Sequence, residues 1–261
     1  MNNLFRIVAI LILLLPFHGA KAEEGTLKVA LLGDSMTWIG GENFEKPNGW
    51  THYLAGLPLN MKTYARSGAT WTNTAETFGD IKAYSEVIDP ENVIYTQVLR
   101  LLGDDFKPDV VIIYAGTNDA WFESKRPGLF REFEWPDRAI DLSADPADFT
   151  TLEGSVQLAG SILNQHLPEA RLYLVTPVHS GKTAEEKIER VSDIIEKTGH
   201  DIGARVVRGD KEFGFRHKEE RSKPYRYTYD GVHTNPQGAR RIADCIRHKI
   251  LEPEAAALRT K

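Results

Sequence analysis

The chain has 261 residues, a formal net charge of −5, and 41% hydrophobic and 26% charged residues. That profile is ordinary for a soluble globular chain, with room for one α/β domain or two small ones. The acidic balance gives no general reason to expect a nucleic-acid partner.

Residues 1–22, MNNLFRIVAILILLLPFHGAKA, read as a leader. Arg6 supplies a positive start, 7–17 an apolar run, and Ala20-Lys21-Ala22 an A-x-A-like cleavage site. The run is too short to span a bilayer comfortably. The expectation is a secretory signal over 1–22, a single domain over 23–261, a secreted or periplasmic location, and no integral membrane segment after cleavage. Cys245, the one cysteine, cannot form an internal disulfide or build a zinc site by itself.

Apolar strand-like runs then alternate with amphipathic stretches. Strands are predicted over 27–32 (LKVALL), 60–64 (NMKTY), 109–114 (DVVIIY), 171–176 (RLYLVT) and 204–207 (ARVV). Runs without strict alternation suit strands covered on both faces. Helices are predicted over 92–102, 148–167, 183–198 and 236–251, the last opening on Pro236, whose missing N–H costs nothing in a first turn. Repeated β-α alternation predicts one parallel sheet wrapped by helices. Two stretches, 121–148 and 208–229, show no steady period and read either as functional loops or as solvated insertions.

Ligands of doubly wound sheets bind beyond the carboxyl ends of the strands. Gly33-Asp34-Ser35 follows the first predicted strand, Ala65-Arg66-Ser67-Gly68 the second, and Gly116-Thr117-Asn118-Asp119 the third. Asp230-Gly231-Val232-His233 comes after the fifth. These are the parts of a serine hydrolase. A Ser hydroxyl needs a base, usually His, and the His needs a carboxylate to fix its tautomer. Asp230 and His233 are close enough in sequence to meet across one turn of chain. A developing oxyanion needs fixed N–H donors, which Gly-rich turns and an Asn amide can provide.

The four blocks, in this order and spread over nearly the whole mature chain, resemble those of the SGNH, or GDSL, hydrolases. The resemblance implies a three-layer α/β/α sandwich on a five-stranded parallel sheet of flavodoxin-like type. It implies Ser35 as nucleophile, His233 as general base and Asp230 as its orienting carboxylate. It also implies an oxyanion hole of the Ser35 and Gly68 N–H groups and the Asn118 amide, with no cofactor and no metal. Met36 stands where the name-giving Leu would be, a volume-conserving exchange, and ARSG lacks the Asn that often precedes the SG pair.

The expected activity is ester hydrolysis on a small-molecule or glycan ester, with acetyl groups on carbohydrates as the first substrate guess. A lipase or lysophospholipase-type activity is an alternative. So is a metal-dependent phosphoesterase using Asp34, Asp119, Asp230 and His233, or a glycan-binding module without turnover. Asp34 and Asp119 read as loop braces, and Asn118 has a second reading as a helix cap. Trp38, Trp71 and Trp121 read equally as pocket lining or as core.

Overall fold

The structure, a computed structural model, describes residues 26–54, 56–72, 93–125, 128–135, 140–145 and 148–260. The leader lies outside them, as does part of 121–148.

Five strands, β1 (Leu27–Gly33), β2 (Leu59–Thr63), β3 (Val110–Tyr114), β4 (Arg171–Val175) and β5 (Arg205–Val207), form one sheet in the order β2-β1-β3-β4-β5. Every pairing is parallel. β3, VVIIY, is buried along its whole length because both faces of the sheet are covered. Its side chains divide by parity: Val111 and Ile113 join one core, while Val110, Ile112 and Tyr114 join the other. β1 divides the same way, with Ala30 and Leu32 on one side and Leu27, Val29 and Leu31 on the other.

Along the chain the helices are α1 (Ser35–Trp38), α2 (Ile94–Leu102), α3 (Thr117–Trp121), α4 (Leu152–His166), α5 (Glu185–Asp201), α6 (Gly209–Glu212), α7 (His217–Glu220), α8 (Pro236–Ile246) and α9 (Glu252–Leu258). The first core is filled by Ile94 and Val98 of α2, Val156 and Ile162 of α4, and Ile188 and Ile195 of α5. The second takes Trp50 and Leu54 of a short 3₁₀ turn, and Ile242 and Ile246 of α8. The result is the three-layer α/β/α sandwich.

The boundaries moved where local chemistry decides them. α4 was expected from 148 and starts at Leu152, because the Thr151 side chain accepts the Gly154 N–H at 3.0 Å and caps it. The helix expected over 236–251 is regular only to Ile246. A π-turn over Arg247–Leu251 follows before α9. That wide turn precedes Pro253, which has no N–H to give the Lys249 carbonyl. The stretch 208–229 contains α6 and α7, so it is not wholly irregular.

The sheet order reverses direction between β1 and β3. The crevice beyond their carboxyl ends is therefore the topological switch point, where a ligand site is expected.

Candidate active site

Gly33 closes β1 beside Tyr114 of β3. With φ at 150° and an added Cβ only 2.2 Å from the Tyr114 carbonyl oxygen, the position accepts only glycine. Asp34 then turns the chain, its carboxylate accepting the Met36 N–H at 2.9 Å and capping α1, so that Ser35 is the first helical residue. Gln97 of α2, fully buried, grips the turn from behind. Its amide nitrogen donates to the Gly33 carbonyl at 2.9 Å and its amide oxygen accepts the Gly33 N–H at 2.8 Å.

Asp230 and His233 stand in a loop closed by the Thr228–Thr234 bridge, within which the Tyr229 N–H donates to the His233 carbonyl at 3.0 Å. Glu220, fully buried at the end of α7, braces this loop. It accepts the Tyr227 N–H at 2.8 Å, the Thr228 N–H at 3.1 Å and the Thr228 hydroxyl at 2.6 Å. The same hydroxyl accepts the Gly231 N–H at 3.1 Å. Beyond the loop, Asn235 caps α8 by accepting the Gly238 N–H at 3.0 Å.

Two groups 198 residues apart in sequence meet here, His233 Nε2 lying 3.0 Å from Ser35 Oγ. On the other side of the ring, His233 Nδ1 lies 2.7 Å from Asp230 Oδ2. Asp230 Oδ1 accepts the N–H groups of Val232 at 2.9 Å and His233 at 2.7 Å. Burial pushes Asp230 up, but the His233 ring and these two N–H groups outweigh it and hold the carboxyl below its usual range. An ionised Asp230 accepts Nδ1–H, and this tautomer leaves the Nε2 lone pair for the Ser35 hydroxyl.

Asn118 and Gly68 face the same rim. Gly68 takes a left-handed φ of 77° in the turn after β2. Asn118 donates through Nδ2 to the carbonyl of the next residue, Ala69, at 2.9 Å. One amide hydrogen thus ties α3 to the Gly68 turn, and the second is left for another acceptor. Gly116, not Asn118, is the helix cap, so the capping reading of Asn118 is replaced. Asp119 accepts the Trp71 N–H at 3.0 Å, the Thr72 N–H at 3.2 Å and the Thr72 hydroxyl at 2.7 Å, bracing the same loop.

Asp34 is fully buried and its second carboxylate oxygen has no hydrogen-bond partner. Burial raises its pKa to about 6. The Met36 N–H, the His233 ring and the Thr117 hydroxyl, which stands nearby without hydrogen-bond geometry, pull the other way. Among the described residues, no three His, Cys, Asp or Glu side chains converge as a metal site would require. Asp34, Asp119 and Asp230 are each turned to a different local task.

Trp71 is buried in the core, so its pocket reading gives way to packing. Trp38 is partly exposed, with Lys46 Nζ 5.6 Å from its ring centroid, and Trp121 stacks on Phe122. Three residues escaped sequence reasoning. Gln97 left one trace, a polar residue on the buried face of α2, whereas Glu220 and Tyr229 left none.

The profile of the GDSL-like lipase/acylhydrolase family matches residues 31–241. Among solved structures, the acetyl xylan esterase AlAXEase aligns with a TM-score of 0.56 at 18% identity, covering 86% of this chain and 100% of that one. An acetyl xylan esterase from Geobacillus stearothermophilus aligns at 0.51 and 18%, covering 85% and 93%. A protein from Lactobacillus plantarum aligns at 0.56 and 15%, covering 87% and 97%. A search of curated proteins finds no match. At such identities the solved structures speak for the fold alone, while the family profile spans all four polar clusters: the chain belongs to the GDSL-like lipase/acylhydrolase family and is a carboxylic ester hydrolase.

Proposed function

We propose that the protein is a serine esterase that removes small acyl groups, acetyl foremost, from carbohydrate esters through an acyl-enzyme on Ser35. The observation that carries the reading is the continuous chain Ser35 Oγ–His233–Asp230, with links of 3.0 and 2.7 Å. Ser35 attacks the ester carbonyl as its proton passes to His233 Nε2, and Asp230 stabilises the imidazolium. The tetrahedral oxyanion is met by the Ser35 and Gly68 N–H groups and the uncommitted Asn118 amide hydrogen. On collapse the C–O bond to the alcohol breaks, and His233 gives its proton to the departing oxygen. Water, deprotonated by the same His, then attacks the acyl-enzyme; the acid leaves and Ser35 regains its proton.

The carbohydrate part of the reading draws on two aligned structures being acetyl xylan esterases and on the leader pattern over 1–22, which suits an enzyme exported to extracellular glycans. Release of p-nitrophenol from acetyl, butyryl and octanoyl esters by wild type and Ser35→Ala tests the serine mechanism and the acyl preference. The expected result is acetyl turnover that falls by at least about 10³-fold in the variant. A preference for octanoyl would move the substrate toward lipids. Equal rates in the two proteins would remove Ser35 from the mechanism.

A further inference from the structure

Tyr229 is large, aromatic and 50% exposed, yet it is not a stray surface residue. Its ring stacks on the His233 imidazole, with centroids 5.9 Å apart and planes inclined by 20°. The backbone locks the two together, because the Tyr229 N–H donates to the His233 carbonyl at 3.0 Å across the bridged loop. Burial of its inner part and the neighbouring Asp230 carboxylate raise the phenol above its ordinary pKa, so the hydroxyl stays a hydrogen-bond donor throughout the working range.

Acyl transfer gives that position a meaning. The two halves of an ester occupy different sides of the catalytic group: the carbonyl oxygen turns toward the Ser35, Gly68 and Asn118 donors, and the departing oxygen must come within about 3 Å of His233 Nε2 to receive its proton. Whatever is attached to the departing oxygen therefore lies next to the imidazole, within reach of a side chain stacked on that ring. Of the tryptophans near these loops, Trp71 and Trp50 are fully buried and cannot meet a substrate, and Trp38, exposed at the end of α1, carries Lys46 Nζ over its ring.

We propose that Tyr229 is a specificity-determining residue that forms the wall of the leaving-alcohol subsite, and that the alcohol it takes is a pyranose. An exposed aromatic face matches the C–H face of a sugar ring, and the phenol hydroxyl provides a polar handle for a neighbouring sugar hydroxyl. The proposal rests on the esterase reading above, but it concerns the alcohol and not the acyl group.

The test holds the acyl group constant and changes the alcohol. kcat and KM are measured for wild type, Tyr229→Ala and Tyr229→Phe on ethyl acetate and on a monoacetate of methyl β-xylopyranoside. In Tyr229→Ala the preference for the pyranoside, as a ratio of kcat/KM values, should fall about tenfold, mostly through KM. Tyr229→Phe should recover most of it. An equal loss on both esters would mean that Tyr229 acts only by supporting His233, and would overturn the proposal. So would an unchanged ratio, or a wild type that turns over ethyl acetate but not the pyranoside. A second arm needs no turnover: methyl β-xylopyranoside is titrated into Ser35→Ala and followed by NMR, and binding should vanish when Tyr229→Ala is added. A wild type inert on both esters would sink the esterase reading, while the titration would still decide the subsite.

Discussion

The two ends of the sheet handle buried charge in opposite ways. At the amino end, Glu254 of α9 is buried and fully employed. It accepts the Tyr173 hydroxyl at 2.6 Å and Arg205 Nη1 at 2.8 Å through one oxygen, and Arg171 Nε at 2.9 Å through the other. At the carboxyl end, Asp34 keeps one buried oxygen without a partner, the Tyr114 hydroxyl is buried and unpartnered, and Ser35 stands against a histidine instead of a satisfied acceptor. A closed network fastens the C-terminal helix to the sheet. Unfinished hydrogen bonding is costly to stability, and at this rim it lies beside the serine that faces His233. One end is built for stability, the other for chemistry.

The largest effect that sharpens this contrast is Asn118→Ala. It removes the proposed side-chain oxyanion donor and should lower kcat on acetyl esters by about 10²- to 10³-fold. KM should change little, because the donor matters most once the oxyanion has formed. If stability falls heavily and kcat does not, Asn118 is a brace for the Gly68 turn through its Ala69 bond, and the carboxyl end loses a functional group.

The contrast also explains what was legible in the sequence. The strands were readable because β1 and β3 bury both faces and so carry unbroken apolar runs. Ser35, Asp230 and His233, which meet, and Asn118 at the same rim were readable because each follows a turn and carries distinctive chemistry. Support from a distance was not readable. Gln97 holds Gly33 from 64 residues away, and Glu220 braces the His233 loop from a segment that lacked any period. The Gln97 contact exists only because two elements fold together, and Glu220 sits in a four-residue helical turn too short to show amphipathicity. The sequence-based reading also missed Tyr229, since an aromatic beside an Asp says nothing of the ring it stacks on.

Asp34 gives the next effect, and its sign follows from burial. Its folded pKa of about 6 lies above the ordinary 3.8, so the folded state holds this proton more tightly than the unfolded chain does. The associated stability is fully present below pH 4 and is lost as pH rises through 6, amounting to roughly 3 kcal/mol. Urea unfolding between pH 4 and 7 should therefore show wild type losing stability relative to Asp34→Asn. A gap between the two proteins that stays constant over this range would mean that Asp34 is ionised at no special cost, and the carboxyl end would then carry less strain than its unpartnered oxygen implies.

Glu254→Ala probes the other end and should have the smallest effect. Arg171 and Arg205 are partly exposed, so water takes over much of what the carboxylate gave them, and their ion pairs contribute little. The main loss is the buried acceptor for Tyr173, whose hydroxyl burial and Glu254 together push up to about 12. Losing that acceptor should cost about 2 kcal/mol. For a chain of this size, that is a fall in melting temperature of roughly 4 to 8 °C. Tyr173 should also titrate closer to its ordinary value, because one of the groups raising it is gone. The turnover of correctly folded enzyme should not change, since the sheet separates Glu254 from Ser35. A drop in kcat at temperatures well below melting would instead show that the two ends are mechanically coupled through β3 and β4, and the division of labour between them would fail.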